Sequence, residues 1–370
     1  MRVIDSIVMA SARAPRIRAQ INGEIVDSIM NADWTDGGSC KGATFELTIS
    51  TSGNRSENRW LDLLTGRVAV QIYMNAQRAD SKIMTFEGLA DNIAIDPINN
   101  TARILGRDYS SVLANSAYQV AFCNQTASEI VSYVAARHGF NTNVSATSTI
   151  IGSYLGDDYN QVLLNAHSQI TSEWELLIYL ARSEGFELFV DGRTLVFASS
   201  GSLPLNKISI NVGDAIAMKF YRNCPLSSQT ILTVKSWNSW LAQALHYSDG
   251  NSSGQNIPDV PGLNADPGTA IAIVTPNLSS HDAERLANQH LRALTKRTLT
   301  VQIAMLGDML LKPRDVLAIS GCGNGFDANY TVLSVRRHFS TTSGFIQYIK
   351  GFQIEAALLP STGGGASQDG

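Results

Sequence analysis

Between residues 172 and 197 the hydrophobic period switches from that of a helix to that of a strand, which leaves few ways to fold the segment. Ser172 with Glu175 three residues on forms a capping box, in which each side chain satisfies a backbone donor that a helix start leaves orphaned. Trp174, Leu177, Ile178 and Ala181 recur at helical spacing, Leu176 and Leu180 widen the apolar face, and Gly185 supplies a left-handed stop. From Phe186 the period is two, with Phe186, Leu188 and Val190 alternating with Glu187, Phe189 and Asp191. Asp191-Gly192 offers the positive backbone angles of a type I′ turn, and the chain returns through Leu195, Val196 and Phe197. The expectation is a capped helix packed on a tight hairpin.

A chain of 370 residues suits two to four packed units, burying about 75% of its unfolded surface. Hydrophobic content of 44% with 16% charge is globular, and no apolar run reaches the roughly eighteen residues of a membrane span. The start, MRVIDSIVMASARAPRIRAQ, has no stretch of signal-peptide length, so synthesis in the cytoplasm is expected. A net charge of -4 gives no global reason for specific nucleic-acid binding. Cys40, Cys123, Cys224 and Cys322 lie far apart, without the close pairs of zinc or redox motifs.

Along the chain the first unit reads as β. An alternating run over 16–21, the turn Asn22-Gly23 and a return strand over 24–30 form a hairpin, and a loop over 35–39 follows. Further strands are expected at 43–50, 67–73, 82–95 and 101–106, an antiparallel barrel or sandwich. Residues 107–200 have mixed period: Thr126 and Glu129 form a second capping box, the helix stops at His138-Gly139, and 143–158 reads as loop. Strands return at 208–212, 215–221 and 230–237. A polar loop over 248–268 then leads to a helix from Ser279, and strands close the chain at 299–305, 316–320, 330–339 and 345–354. One internal echo stands out. The run from Arg67, the strand at Phe86 and the hairpin ending near Gly106 share a layout with the run from Asp315, the strand at Tyr330 and the hairpin ending near Gly351.

Catalytic constellations do not emerge from the motifs: no nucleophile elbow, Walker loop, His-Glu-x-x-His helix or zinc pattern is present. Gly321-Cys322-Gly323-Asn324-Gly325 lacks the Lys-Ser/Thr of a phosphate cradle and reads as a strand connection. Asp157-Asp158 reads as a solvated pair rather than a cation site, and His138 and His290 as packing or capping residues. Arg336-Arg337-His338 alternates across a strand and reads as part of a solvated face, with an acidic partner as the alternative. Trp237, Trp240 and Tyr247 read as core or interface aromatics.

The string SEWELLIYLARSEGFELFVDG resembles a segment of phage late control protein D and related tail baseplate hub proteins, a family that includes the hub part of type VI secretion spikes. GRDYSSVLANS from Gly106, NQTASEIVSYVAARHGF, HDAERLANQHLRAL, LKPRDVLAISG and YTVLSVRRHFSTTSGF extend the likeness over most of residues 13–356. It implies a mainly β, α+β chain: two tube-protein-like antiparallel β-barrels, an inserted small α/β domain and a helix-bearing insertion. The implied division is 1–107 for the first barrel, 108–200 for the α/β domain, 201–240 with 298–358 for the second barrel, 241–297 for the loop and helix insertion, and 359–370 for a flexible tail. Hubs of this family are trimers whose six barrels form a pseudo-sixfold ring between a hexameric tail tube and a trimeric spike. The resemblance therefore implies a virion baseplate location and, as partners, a second and third copy, a separate spike protein, the tail tube or its initiator, and other baseplate proteins. No catalytic, cofactor or metal residues are expected. Gly106, Trp174, Leu177, Gly185, Asp191 and Gly192 are the expected structural positions. A tail-tip cell-wall hydrolase and a β-rich receptor- or carbohydrate-binding module remain alternatives.

Overall fold

The computed structural model describes residues 16–53, 58–75, 82–117, 122–148, 150, 153–154, 162–164, 172–223, 230–238, 243–251, 269–274, 286–287, 290, 299–307, 309–323 and 325–353. The chain opens with β1 (Arg16–Ile21), β2 (Glu24–Val26), β3 (Ile29–Asp36), β4 (Thr44–Ser50), β5 (Ala69–Asn75), β6 (Lys82–Asp96) and β7 (Thr101–Arg107). A mixed region follows: α1 (Ser110–Ala114), β8 (Phe122–Cys123), α2 (Ala127–Arg137), β9 (Asn141–Val144), β10 (Ser153–Tyr154), β11 (Val162–Leu164), α3 (Glu173–Glu184), β12 (Glu187–Asp191) and β13 (Thr194–Ala198). The rest is β14 (Lys207–Asn211), β15 (Ala215–Arg222), β16 (Thr230–Asn238), β17 (Gln243–Asn251), β18 (Thr269–Val274), β19 (Leu299–Leu306), β20 (Val316–Ser320), β21 (Asn329–Ser340) and β22 (Gly344–Gln353). The protein is mainly β with few helices, as its sequence implies.

Asn22 and Gly23 take φ of 45° and 94°, the two positive angles that a type I′ hairpin needs. The return strand is shorter than expected, because β2 stops at Val26 and β3 is a separate strand that also takes in Thr35 and Asp36. A bulge at Met30 hides β3 from a period-two search. Ile29 and Asn31 pair with successive residues of β4, so alternation restarts one residue late, with Ala32 and Trp34 buried.

One 13-stranded sheet runs through the molecule, in the order β15-β19-β22-β21-β3-β4-β7-β6-β5-β1-β2, with β20 joining β21 to β14. Within it one arrangement occurs twice. The first half reads β3-β4-β7-β6-β5-β1 and the second β15-β19-β22-β21-β20-β14, so corresponding strands share both spatial order and chain order. The likeness reaches individual hydrogen bonds: Ala90 N donates to Val68 O at 2.9 Å, and Val332 N donates to Asp315 O at 2.8 Å. Bulges recur at Ala90/Asn92 and Val332/Ser334, and again at Ile29/Asn31 and Ala215/Ala217. Asp315 therefore corresponds to Val68, one residue from the Arg67 that the sequence echo aligns with it. The halves differ at the end, where β1 runs antiparallel to β5 and β14 parallel to β20.

Each half wraps its own core, one around Trp34, Leu47, Ile72 and Ile104, the other around Ile303, Leu317, Tyr330 and Val335. A third core belongs to the mixed region. The expected capping boxes at Thr126/Glu129 and Ser172/Glu175 are both present, and Gly185 caps α3 at φ 68°. Trp174 and Leu177 are buried with Leu113, Val134 and Phe197. The hairpin turn falls one residue later than expected. Asp191 still pairs with Thr194, so Gly192 and Arg193 form the loop, and Gly192 supplies a positive φ of 57° at its first position. A single positive φ at that point is the type II′ pattern, which needs glycine first. Asn143 and Val144, expected in a loop, instead extend β9 parallel to β13.

Residues 230–238 do not join the second half's sheet as expected. β16 pairs with β17 and β18 in a separate three-stranded sheet, because β18 adds in parallel and β17 returns antiparallel across a short connection. Residues 248–251, expected as the start of the loop over 248–268, are thus the end of strand β17. Of the helix expected from Ser279, Leu286, Ala287 and His290 are described and helical, and the remainder lies outside the described residues, as does the tail over 359–370.

Gly106 and Gly351 hold corresponding places, and each faces the carbonyl of a paired strand across a bulge. A Cβ on Gly106 would fall inside contact distance of Leu89 O and the Phe45 ring, whereas one on Gly351 would sit 3.0 Å from Thr331 O and 3.3 Å from Val301 Cγ1. Gly106→Ala is expected to cost about 3 kcal/mol and Gly351→Ala about 1 kcal/mol, within the range for overpacking. Urea unfolding of the two variants checks this, and equal losses would remove the steric account.

Candidate assembly interface

The halves meet where β21 crosses from one to the other. Its first residues pair with β20, while 335–340 pair antiparallel with 31–36 of β3. Successive side chains alternate across this ladder, so the run Arg336-Arg337-His338 is split between two environments. Arg336 lies on the exposed face, where Nε donates to Asp33 Oδ1 at 2.9 Å and Nη2 to Asp33 Oδ2 at 2.5 Å. His338 approaches the same carboxylate at 3.4 Å. Arg337 points inward, contrary to the solvated face expected for the run. It is 2% exposed, bonds Asp36 Oδ2 through Nη1 at 2.6 Å, and donates from Nη2 to the carbonyl of Leu311. Trp34 stacks on Phe345 with ring centroids 5.8 Å apart, and Phe339 and Phe345 complete the core of the first half.

The exposed face of the shared sheet carries charges in cross-strand pairs. Arg103 Nε meets Glu46 Oε1 at 2.6 Å and Arg107 Nε meets Asp91 Oδ2 at 2.7 Å, with Arg336–Asp33 in the same manner. Pairing of this kind keeps the face wettable without a strong field of either sign. At the two ends of the shared run, β15 on one side and the edge of β6 beyond residue 90 on the other carry no further ladder among the described residues.

A cleft of about 320 Å³ opens where the three cores converge, lined by Asp36, Asp108, Asp191, Lys312, Arg314 and Arg337 among others. The hairpin of β12 and β13 docks here. Lys312 Nζ reaches Asp191 Oδ2 at 3.3 Å, and the Arg314 guanidinium lies 3.7 Å over the Phe189 ring. Cys40 N donates to Leu188 O at 2.7 Å, tying the loop after β3 to the same hairpin. Burial pushes the Asp108 carboxyl up, against hydrogen bonds from Ser110 and Ala43 that lower it, and the Asp36 charge adds to the rise. Asp315 is also raised, by burial.

The expected structural residues do not form one site. Gly106 belongs to the first sheet, Trp174, Leu177 and Gly185 to the third core, and Asp191 and Gly192 to the cleft. His138 contacts Glu173, which is 3% exposed and also bonds Arg137 Nη1 at 2.8 Å, so His138 joins a buried polar network rather than simply ending a helix. Among the described residues no group of three His, Cys, Asp or Glu is placed to hold a metal, and no helix is long and apolar enough to cross a membrane. Asp157, Asp158, Cys224 and Trp240, and the side chains of Trp237 and Tyr247, lie outside the described residues. Sequence reasoning missed the inward turn of Arg337 and the cleft roles of Lys312 and Arg314. Alternation alone could have placed Arg337 inward once Val335 and Phe339 were taken as core.

Removing Arg337 strands Asp36 and the Leu311 carbonyl at a buried junction. Arg337→Ala is expected to lose about 3 to 5 kcal/mol, and a chemical-denaturation loss below about 1 kcal/mol would show that the pair behaves like a surface contact. Asp108 generates a pH dependence. Its folded value is raised, so its contribution is full below the unfolded value near about 3.9 and is lost as pH climbs through the folded one. The stability of the parent relative to Asp108→Asn should therefore fall from acid toward neutral pH, and parallel thermal-unfolding profiles would contradict it.

No family model matches the chain, and no curated protein does. Solved structures do match. A 43 kDa tail protein of prophage MuSo2 from Shewanella oneidensis superposes with a TM-score of 0.67 at 15% identity, covering 92% of this chain and 98% of that one. A tail protein from Neisseria meningitidis MC58 gives 0.67 at 13% identity, covering 92% and 96%. A type VI secretion component from Escherichia coli, itself described as similar to the T4 tail proteins gp27 and gp5, gives 0.56 at 10% identity, covering 91% and 77%. This chain therefore shares its fold with phage tail proteins and with a component of the type VI secretion system.

Proposed function

We propose that the protein is a structural component of a phage-like tail, the baseplate hub, in which three copies form a ring that adapts a hexameric tail tube to a trimeric spike. The observation that carries this is the double occurrence of one six-strand order within one chain, joined edge to edge through β3 and β21. A chain with two similar units turns threefold symmetry into approximate sixfold symmetry without further parts. The likeness to tail proteins over nearly their whole length supports the same role. Its partners are then two further copies of itself, a spike protein, the tube or its initiator and neighbouring baseplate proteins, and its place is the virion after synthesis in the host cytoplasm. It acts by binding and positioning, with no catalytic step.

Mass measurement in solution and class averages from negative-stain images test this. Three copies with a projection close to sixfold are expected. A chain that stays monomeric at its highest attainable concentration, and beside the spike and tube proteins of its own particle, would overturn it.

A further inference from the structure

The ladders allow one half to be mapped on the other residue by residue. Gly106 corresponds to Gly351. The paired strands then match Phe45 with Val301, Trp34 with Phe220, Asp33 with Lys219 and Asp36 with Arg222. On the other flank the bulges align Ile93 with Val335, Ile95 with Arg337 and Asp96 with His338. The junction of 31–36 with 335–340 inside the chain therefore has an unmade counterpart: β15 against 93–96 of β6, two edges without a ladder among the described residues.

Burial differs at matched positions as a missing neighbour would make it differ. Arg337 is 2% exposed and its counterpart Ile95 is 52% exposed; Trp34 is fully buried while Phe220 is half-buried beside an exposed Tyr221. Large apolar side chains on an unpaired edge are an aggregation hazard unless something covers them.

Charge identifies what covers them. In the made junction, β3 contributes Asp33 and Asp36 with no base, and 335–340 contribute Arg336, Arg337 and His338 with no acid. In the unmade one both signs are inverted together: β15 carries Lys219 and Arg222 at the aspartate positions, and 93–96, the counterpart of 335–338, carry Asp96 with no base. Hydrogen bonds from Asn99, through its backbone N–H and its side-chain Nδ2, and from the Ile98 N–H hold the Asp96 carboxyl below the usual carboxylate range.

We infer that β15 of one copy pairs antiparallel with the end of β6 of a second copy, in the register Ile93 to Arg222, Ala94 to Tyr221, Ile95 to Phe220 and Asp96 to Lys219. This rests on the ring proposed above and specifies its subunit contact. Polarity follows from which edges are open. β3 and residues 335–340 of β21 already pair with each other inside each chain, so the edges without a ladder among the described residues are β15 and 93–96. β15 against a second β15 would oppose Lys219 and Arg222 to their own kind, and 93–96 against itself would oppose acid to acid, which leaves second half to first half, the head-to-tail sense that closes rings.

Disulfide trapping in the full chain tests the register. Directly paired Cα atoms lie about 4.5–5.5 Å apart, within the span of a disulfide. The double variant Ala94→Cys/Tyr221→Cys should oxidise to linked chains ending at a covalent trimer. Each single variant should stay at the parent's background, and Ala94→Cys/Lys219→Cys, two residues off register, should not link. Lys219→Glu should raise the concentration at which the trimer half-dissociates by about tenfold or more. A trimer that persists in Lys219→Glu and traps no Ala94→Cys/Tyr221→Cys link overturns the edge pairing and leaves the ring standing. A chain that is monomeric in every variant and links in none overturns both.

Discussion

Everything in this molecule hangs on β21 leaving its own half. Over its first residues it is an ordinary inner strand between β20 and β22, but at the Val332/Ser334 bulge it shifts register and continues as the partner of β3. The shift places Arg337 inward, where an unpaired guanidinium would be costly, and Asp36 with the Leu311 carbonyl takes up its donors. Because Phe339 and Phe345 then fill the first core, the two halves share hydrophobic burial as well as a ladder. A junction built this way behaves as one body and not as two domains on a linker.

The α/β region braces that body. Its recognisable helix and hairpin serve local packing, as the buried Trp174 and Leu177 indicate, yet the hairpin tip at Asp191 also reaches Lys312 of the second half while Leu188 holds the loop after β3. Asp36, Asp108 and Arg337 gather at the same cleft. A carboxyl raised by burial beside another carboxyl is tolerated here because Ser110 and Ala43 satisfy its lone pairs. Asp36, Asp108, Asp191, Lys312 and Arg337 are engaged in contacts that hold the three cores together, while Arg314 Nη1 is buried without a hydrogen-bond partner among the described residues.

Most of the strands and both capped helices were legible because they depend on local chemistry: Asn22-Gly23 for a turn, Ser172 with Glu175 for a helix start, alternation for β4, β7 and β19. What escaped was set by partners distant in sequence. β3 was hidden by a bulge that exists to fit β4, and β16 was assigned to the wrong sheet because a strand's sequence does not name its neighbour. Arg337 looked like solvated surface until β3 stood beside it. The internal echo was legible to within one residue, since glycines such as Gly106 and Gly351 are needed wherever two backbones crowd at a bulge. The matching charge inversion was invisible in sequence, because it appears only after the ladders align Asp33 with Lys219.

In the ring proposed above, threefold and sixfold symmetry would make opposite demands, and the chain's repeated and single features divide between them. The strands that repeat, β3, β4, β6 and β7 with β15, β19, β21 and β22, form the continuous run, and their bulges, glycines and hydrogen bonds recur in register. The features that occur once, the α/β region, the β16 to β18 sheet and the reversed direction of β14, attach at the flanks or between β15 and β19. In a ring of three chains the repeated strands would therefore meet a sixfold neighbour with six nearly equal surfaces. The single features would offer a threefold neighbour three. In such a ring, two junctions equal in shape but opposite in charge would keep these demands compatible: shape would preserve the sixfold spacing, while charge would set β15 against 93–96 rather than against a second β15.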